Sequence, residues 1–295
     1  MSVMPRCTRI FLGALLVGTL CVAALGQEGP KQITFGDKKD LDPVVSPNGD
    51  HLAFASNRTG SFDIFMLTFG KTGVFQLTQS KKDDRYPSWS PDSRKIVFYS
   101  NRTGKGDVYE MARDGSSGFL QLTDRTDLEE YPSCAPYGGG LLLARGPKKA
   151  FQLRPKMQVV LADEKGRANN ARPLADGDEP RFAPNGKKIV FVSRRTKNND
   201  VWLMNTDGTQ QMQLTTDPKD DENPVFSPDG GSIVFASNRT GNFDIWVMDT
   251  DGGNQRQLTT HPADEKEPCW SVGGYIYYTR HEGETKSNVF RIDAP

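Results

Sequence analysis

The chain has 295 residues, and its 37 basic and 37 acidic side chains give a formal net charge of zero. This balance gives no reason to expect binding to nucleic acid or to an anionic membrane. Within residues 1–26, Arg6 and Arg9 precede an apolar run from Ile10 to Leu25. That run is shorter than the roughly 20 apolar residues of a membrane-spanning helix, so the pattern predicts a secretory signal peptide. Cleavage after Gly26 leaves 269 residues with a formal net charge of −2 and no integral membrane segment.

The predicted signal peptide places the mature protein outside the cytoplasm. We expect it in the periplasm, and release to the extracellular space is the alternative. Cys21 suggests a second kind of processing, in which the peptide is cut before a lipidated cysteine. Leu20 is bulky where a small residue is needed, so a lipid anchor is not expected.

A repeated unit runs through the rest of the chain. Each copy follows a Gln-Leu-Thr-like run and a charged stretch, and it opens at a proline. The opening prolines are spaced by 44, 45, 48, 44 and 44 residues, and they are Pro43, Pro87, Pro132, Pro180, Pro224 and Pro268. A period of this length with four strand-like runs in each unit is typical of β-propeller blades.

The unit is clearest between Asn223 and Thr259, where the strand-like runs are PVFS, SIVFAS, DIWVM and QLT. Pro228-Asp229-Gly230 and Asp251-Gly252 supply turns between these runs, because proline presets φ and glycine accepts a positive φ. Each unit is therefore predicted to be a four-stranded antiparallel meander. Such a sheet is apolar on both faces, so neighbouring sheets must cover it.

The sixth unit ends at Pro295 after only three strand-like runs. A matching fourth run, from Gln32 to Phe35, lies at the other end of the chain. If it pairs with the last unit, the ring closes and no strand edge is left bare at the join. We therefore predict an all-β fold, a single six-bladed β-propeller over residues 27–295, whose last blade is completed by the N-terminal strand.

The mature chain keeps two cysteines, Cys134 and Cys269, and an even pair in an exported protein suggests a disulfide. The repeat argues against it. The two residues fall on the innermost strands of the third and sixth units, which lie opposite each other in a six-bladed ring. A disulfide needs Cα atoms within about 7 Å of each other. Both thiols are therefore expected to be free and buried.

Three short motifs recur among the units: SPDG at 227–230, SNRTG at 237–241 and DTDG at 249–252. With the spacing around them, they resemble the repeats of the TolB-like, or WD-repeat-like, β-propeller family. The resemblance covers essentially the whole mature chain, is closest in the fifth unit and is weakest in the third. It extends to the propeller only, without the N-terminal domain that TolB carries. It implies an exported propeller that binds protein partners, with a role in envelope organisation or transport.

Strand alternation brings two sets of loops to one face of the ring, around the mouth of the central channel. These loops carry charged residues, and those predicted to bind a partner are Arg102, Arg239, Asp220, Asp221 and Glu222. The alternative is that the arginines and acidic groups pair with each other and only order the loops, since exposed ion pairs are common and contribute about 0–1 kcal/mol each.

The third unit departs most from the repeat and contains the one 48-residue spacing. In place of the SNRTG motif it has RGPKKAFQLRPK, whose basic residues are Arg145, Lys148, Lys149, Arg154 and Lys156. Loops on a rigid scaffold are where recognition is usually found, so these five residues are predicted to contact a partner. The alternative is sequence variation in a loop that faces water.

These features favour a monomeric, non-enzymatic binding protein for a protein or peptide partner, with no cofactor, catalytic residue or metal site. The alternative is a propeller enzyme, a metal-dependent lyase or a hydrolase, with its active site at the channel mouth. His261 and His281 would be the candidate metal ligands in that case. The sequence has no G-x-S-x-G nucleophile motif, which disfavours a hydrolase of that class.

Overall fold

The computed structural model of the chain describes residues 29–147, 156–162 and 171–295. The predicted signal peptide lies outside them. The first described strand, β1 (Lys31–Gln32), belongs to the last sheet, and the sheets otherwise follow the chain. Among the described residues, no helix is long and apolar enough to span a membrane.

The first three blades follow the repeats in order. Blade 1 contains β2 (Asp40–Val45), β3 (His51–Ser56), β4 (Asp63–Thr68) and β5 (Val74–Gln76). Blade 2 contains β6 (Asp84–Trp89), β7 (Lys95–Ser100), β8 (Asp107–Ala112) and β9 (Leu120–Gln121). Blade 3 contains β10 (Leu128–Cys134), β11 (Leu141–Gly146), β12 (Gln158–Ala162) and β13 (Arg172–Asp176).

The remaining blades complete the ring. Blade 4 contains β14 (Asp178–Phe182), β15 (Lys188–Ser193), β16 (Asp200–Asn205) and β17 (Met212–Gln213). Blade 5 contains β18 (Asp221–Phe226), β19 (Ser232–Ser237), β20 (Asp244–Asp249) and β21 (Arg256–Gln257). Blade 6 contains β22 (Glu265–Trp270), β23 (Tyr275–His281) and β24 (Ser287–Asp293), with β1 as its fourth strand. The predicted six-bladed propeller of four-stranded antiparallel blades is confirmed.

The N-terminal strand closes the ring as predicted. It pairs antiparallel with β24, and the backbone N–H of Ile33 donates to Val289 O at 2.8 Å. Thr34 is buried, and its hydroxyl oxygen accepts a hydrogen bond from the backbone N–H of Val289 at 2.9 Å. Thr259 of blade 5 accepts from Ile245 in the same way, also at 2.9 Å. The N-terminal Gln-Ile-Thr therefore takes the place of the Gln-Leu-Thr run of the other blades.

The core lies between neighbouring sheets. One cluster joins Ile64 and Met66 of blade 1 to Ile96 and Phe98 of blade 2, and Trp89 lies within it. Equivalent clusters join blade 4 to blade 5 and blade 5 to blade 6. Each blade thus buries its apolar faces against its neighbours, as the alternation of the strands requires.

Each innermost strand contains the same irregularity at its opening proline. Two residues there face one residue of the second strand, as between Leu41 and Val44 in blade 1. This is the residue count of a β-bulge. The residue before each proline has a positive φ of 50–56°, which L residues rarely adopt, and these residues are Asp42, Tyr86, Tyr131, Glu179, Asn223 and Glu267. We call them the pre-proline ring.

Both cysteines of the mature chain are free, as the repeat predicts. Cys269 is buried, and its sulfur accepts a hydrogen bond from the backbone N–H of Val45 at 3.2 Å. Cys134 is half-buried rather than buried, at the end of its strand β10. Burial raises the pKa of Cys134 to about 12 and that of Cys269 to about 11, so both are uncharged thiols at neutral pH.

Candidate functional site at the channel mouth

A cavity of about 820 Å³ lies at one end of the central channel, and all six blades contribute to its lining. We call it the mouth cavity. This volume is within the range of ligand-binding pockets in proteins. Side chains of both charges line it, among them Glu130, Asp178, Glu222 and Lys266.

The pre-proline ring forms the floor of this cavity. All six of its residues also line a second cavity of about 140 Å³ further along the channel, so the ring separates the two spaces. The positive φ at these positions follows from the bulge. At the bulge, side chains do not follow the regular two-residue alternation between the faces of the sheet. The floor of the mouth cavity is therefore built from one equivalent residue of each blade.

Hydrogen bonds join neighbouring members of the ring. Asp42 accepts from the backbone N–H of Tyr86 at 3.2 Å, and Glu267 accepts from that of Asp42 at 2.8 Å. Asn223 accepts from the backbone N–H of Glu267 at 3.2 Å, and Glu179 accepts from that of Asn223 at 2.6 Å. These bonds from fixed backbone donors hold the side chains in place.

The ring changes its pattern between blades 2 and 4. The hydroxyl groups of Tyr86 and Tyr131 are 3.3 Å apart, and their rings are tilted by 31° to each other with centroids 4.1 Å apart. The backbone N–H of Glu179 donates to Asp178 of its own strand at 2.8 Å, instead of to a side chain of blade 3. The described residues therefore show a break in the ring between Tyr131 and Glu179.

Most carboxylates of the mouth cavity have cationic partners. Arg85 binds Asp42 at 2.7 Å and lies 3.9 Å from Glu267. Lys266 binds Glu222 at 2.5 Å, and the side-chain amide of Asn199 donates to the same carboxylate at 2.6 Å. In this half of the cavity each of these carboxylates therefore lies within 4 Å of a cationic side chain.

Three carboxyl groups beside the break in the ring differ from the others. Glu130, Asp178 and Glu179 have no ion-pair partner within the part of the chain that the structure describes. Burial raises the pKa of Glu130 to about 7, and the nearby charge of Asp178 adds to the shift. Burial likewise raises the pKa of Asp178 to about 6. The pKa of Glu179 rises to about 8 through burial and the charges of Glu222 and Asp178. We call these three residues the acidic sector.

The predicted arginines of the SNRTG motifs lie within the blades. Arg102 binds Asp84 at 3.1 Å and stacks on Tyr109, and Arg239 binds Asp221 at 2.9 Å and stacks on Trp246. Asp221 is fully buried. These contacts are the ones expected if the arginines and acidic groups pair with each other and order the structure, which was the alternative to partner binding. Arg102, Arg239 and Asp221 do not line the mouth cavity.

The other predicted contact residues are divided between the cavity, the blade interior and the undescribed segment. Glu222 lines the cavity, and Lys156 lines it while binding Asp176 at 2.9 Å. Asp220 accepts a hydrogen bond from the backbone N–H of Asn199 at 2.9 Å. Arg145 is largely buried against Glu129 at 2.6 Å. Three further residues lie outside the described residues: Lys148, Lys149 and Arg154.

The sequence interpretation did not single out the pre-proline ring. The signal that could have revealed the ring is the contrast between each repeated opening proline and the residue before it. The proline is the same in every unit, whereas the preceding residue changes from unit to unit. A regular two-residue alternation does not predict a positive φ at that position, so the direction of these side chains could not be read from the pattern.

The two histidines considered as metal ligands have other partners. His261 Nδ1 accepts a hydrogen bond from the backbone N–H of Ala263 at 3.0 Å, and His281 Nδ1 lies 3.1 Å from Ser287 Oγ. Burial lowers the pKa of His281 to about 4, so its ring is neutral at pH 7. No group of three or more His, Cys, Asp or Glu side chains suited to a metal ion occurs among the residues described.

Comparisons with solved structures show the same fold at low sequence identity. TolB from Acinetobacter baumannii is 19% identical with a TM-score of 0.69, and the match covers 85% of this chain and 65% of that one. This chain therefore spans just under two thirds of the length of that TolB. Oligogalacturonate lyase from Vibrio parahaemolyticus is 13% identical with a TM-score of 0.63, over 90% of this chain and 93% of the lyase.

A puromycin-hydrolyzing peptidase from Mycobacterium tuberculosis is 15% identical with a TM-score of 0.59, over 86% of this chain and 45% of the peptidase. Similarity at this level establishes a shared fold only, and the proteins that share it include TolB, a lyase and a peptidase. No curated protein matches the chain at a significant level. The family model for the TolB beta propeller domain matches residues 20–162 and 169–294. The chain therefore belongs to the TolB β-propeller domain family.

Proposed function

We propose that the protein is an exported, non-enzymatic β-propeller that binds a segment of a protein or peptide partner in the mouth cavity. The observation that carries this proposal is the acidic sector, Glu130, Asp178 and Glu179, on the wall of a cavity of about 820 Å³. Export is inferred from the predicted signal peptide. The partner segment that fits this chemistry carries a positive charge, from lysine, arginine or a free amino terminus.

The hydrogen-bonded floor supports binding of an extended segment. The side chains of Asp42, Glu179, Asn223 and Glu267 are fixed by backbone donors before any partner arrives. A pre-ordered site loses little side-chain entropy when it binds. A cationic side chain that reached the acidic sector would supply the charge that these carboxyl groups lack among the described residues, and it would lower their pKa values.

The basic segment of blade 3 remains a predicted contact. Lys148, Lys149 and Arg154 precede Lys156, which lies on the rim of the mouth cavity. If the partner also carries acidic residues, this segment would bind them. Charge reversal at the three residues should then weaken binding, and a partner that is indifferent to the reversal would remove them from the site.

The proposal is tested with purified protein and synthetic peptides. Fluorescence anisotropy would compare labelled peptides of equal length whose net charge is positive, neutral or negative. We expect the cationic peptides to bind most tightly, with affinity that falls as salt is added because the attraction is electrostatic. Glu130→Gln combined with Glu179→Gln should weaken their binding about tenfold or more, which corresponds to about 1.4 kcal/mol.

Glu284→Gln provides the matched control, because Glu284 is exposed and does not line the mouth cavity. It should leave affinity unchanged. Preference for anionic peptides, or equal affinity for the double variant and the control, would contradict the proposal.

The second candidate function is a propeller enzyme, and one observation favours it. Carboxyl groups with raised pKa values in a concave site are candidates for general acid or base catalysis, and Glu130 and Glu179 have values of about 7 and 8. A lyase and hydrolase screen with added divalent metals would test it. Turnover that Glu179→Gln abolishes and Glu284→Gln preserves would favour the enzyme over the binding protein.

A further inference from the structure

The second cavity along the channel contains a cationic side chain that the proposed function does not use. This cavity, which we call the axial cavity, has a volume of about 140 Å³ and lies beyond the pre-proline ring. Five of the six residues that follow the opening prolines line it, and four of these are small or apolar: Val44, Ser88, Val225 and Cys269. Blade 4 has Arg181 at the equivalent position.

Most hydrogen-bond donors of Arg181 have no partner among the described residues. A guanidinium group has five N–H donors, and the one contact recorded is from Nη1 to the carbonyl oxygen of Pro180 at 3.1 Å. No carboxylate among the described residues forms an ion pair with it. Burial lowers the pKa of Arg181, but an arginine stays protonated at neutral pH. Arg181 is half-buried and lines the axial cavity, so its unpaired donors are accessible to a small ligand there.

The carboxyl groups that line the axial cavity form no ion pair with Arg181. Asp42 binds Arg85 and the backbone N–H of Tyr86, and Glu267 accepts from the backbone of Asp42 and from Thr279. Glu179 accepts from the backbone N–H of Asn223. The remaining titratable groups that face Arg181 are Tyr131 and Cys269, and burial raises the pKa of both, so both are neutral. None of these groups supplies the acceptor that the guanidinium lacks.

We infer that the axial cavity is a binding site for one small carboxylate, held by the guanidinium of Arg181. The planar guanidinium donates two parallel hydrogen bonds to a carboxylate, which is the geometry in which this pair is strongest. A water molecule takes about 30 Å³, so the cavity holds one carboxylate group with little room for a larger anion. The carboxylate is either a free small acid or the C-terminal group of a polypeptide that enters the channel.

Thermal unfolding with increasing formate, at constant pH and ionic strength, tests the inference on the whole mature protein. Formate that binds only the folded state raises the midpoint in a saturable way. We expect this rise in the wild-type protein, its loss in Arg181→Met, and its retention in Arg94→Met, since Arg94 is exposed on a turn. A midpoint that does not respond to formate, or responds equally in Arg181→Met, overturns the inference.

Two further measurements keep the test decisive if Arg181→Met does not fold. Arg181→Lys keeps the charge but cannot form the two parallel bonds, so formate should bind it at least several-fold more weakly. Line broadening of ¹³C-formate in the presence of wild-type protein needs no variant, and its absence at millimolar formate would overturn the site.

Peptides distinguish the two sources of the carboxylate. Calorimetry would compare peptides with a free C-terminus to the same sequences ending in an amide, with formate as competitor. Tighter binding of the free acid, reversed by formate, identifies a chain terminus, whereas formate binding without this preference identifies a free acid. Glu179 lines both cavities, but the carboxylate site is held by Arg181, which is not part of the acidic sector, so its failure leaves the mouth-cavity proposal standing.

Discussion

Blade 5 and blade 3 each contain an ion pair between the first and second strands, and they build it from different residues. In blade 5, Arg239 comes from the loop after β19 and binds Asp221 at 2.9 Å and Ser237 at 2.8 Å. In blade 3, Arg145 lies on β11 itself, opposite Glu129, and binds it at 2.6 Å. The contact is preserved although the motif is not.

Blade 6 follows the arrangement of blade 3, with Arg280 on β23 bound to Glu265 at 2.8 Å. In both blades an arginine on the strand is matched by a glutamate, where blade 5 has an aspartate and a loop arginine. Where the arginine lies on the second strand instead of in the loop after it, its partner is therefore glutamate, which is one methylene longer than aspartate. The arginines of blades 3, 5 and 6 therefore stabilise the fold of their own blade, whether or not the SNRTG motif is present.

Blade 4 lacks the ion pair. Gly177 takes the place of the acidic residue, and Arg195 binds the carbonyl oxygen of Asp176 at 3.1 Å and Gln211 at 2.6 Å. Arg195 lines the mouth cavity, whereas Arg239 of blade 5 does not. Blade 4 therefore places at the channel an arginine whose counterpart in blade 5 lies within the blade.

The largest expected effect is loss of the buried acid of blade 5. Asp221→Ala leaves Arg239 without its carboxylate, and breaking a buried ion pair costs about 3–5 kcal/mol in the free energy of unfolding. Glu129→Asp in blade 3 shortens the acid by one methylene, so it should weaken the bond to Arg145 and cost roughly 1–3 kcal/mol. Urea unfolding measures both.

Asp37→Asn is the control for these two variants, because Asp37 is exposed and should change stability by less than about 0.5 kcal/mol. If Asp221→Ala were as stable as this control, the shared scaffold role of the pairs would be wrong. If Glu129→Asp alone left the free energy of unfolding unchanged, then an arginine on the second strand would not need the longer glutamate as its partner, and that part of the comparison would be wrong.

A smaller effect compares blade 6 with blade 5. Thr34→Val and Thr259→Val each remove a hydroxyl oxygen that accepts from a buried backbone N–H, and an unsatisfied donor costs roughly 1–3 kcal/mol. Equal losses are expected, because β1 completes blade 6 as β21 completes blade 5. If Thr259→Val lowered the free energy of unfolding and Thr34→Val did not, the N-terminal strand would not hold the ring closed.

The last comparison concerns blade 4 and appears as a dependence on pH. The pKa of Glu179 is raised to about 8 in the folded protein, above the value of about 4.3 in an unfolded chain. The folded state therefore binds the proton more tightly, so its stabilising contribution is complete below the unfolded pKa and is lost as pH rises through the folded one.

Glu179→Gln should make the free energy of unfolding fall less steeply between about pH 5 and 8, by at most about 1.4 kcal/mol per pH unit. Urea unfolding at several pH values measures this slope. Glu284→Gln should leave it unchanged. An identical slope in both variants would mean that Glu179 does not titrate in this range.

The sequence by itself determined the blades. The spacing of Pro43 to Pro268, the strand alternation and the turn residues specify four-stranded meanders, because strands and turns depend on neighbouring residues. It also determined the closure, since Gln32 to Thr34 repeats the Gln-Leu-Thr run that the last unit lacks. The free state of Cys134 and Cys269 followed from the ring geometry alone.

The tertiary structure decided what lies in the channel. The bulge at each opening proline gives a positive φ that no local pattern indicated, and only the convergence of six blades makes Asp42, Glu179 and Glu267 neighbours. Their pKa values depend on burial and on charges distant in sequence. The same reason explains why Arg102 and Arg239, exposed by their motif, lie within the blades: their partners are brought to them by strand pairing. Asp178 and Arg181, which never stood out in the repeat, became part of the candidate sites because folding placed them beside the axis.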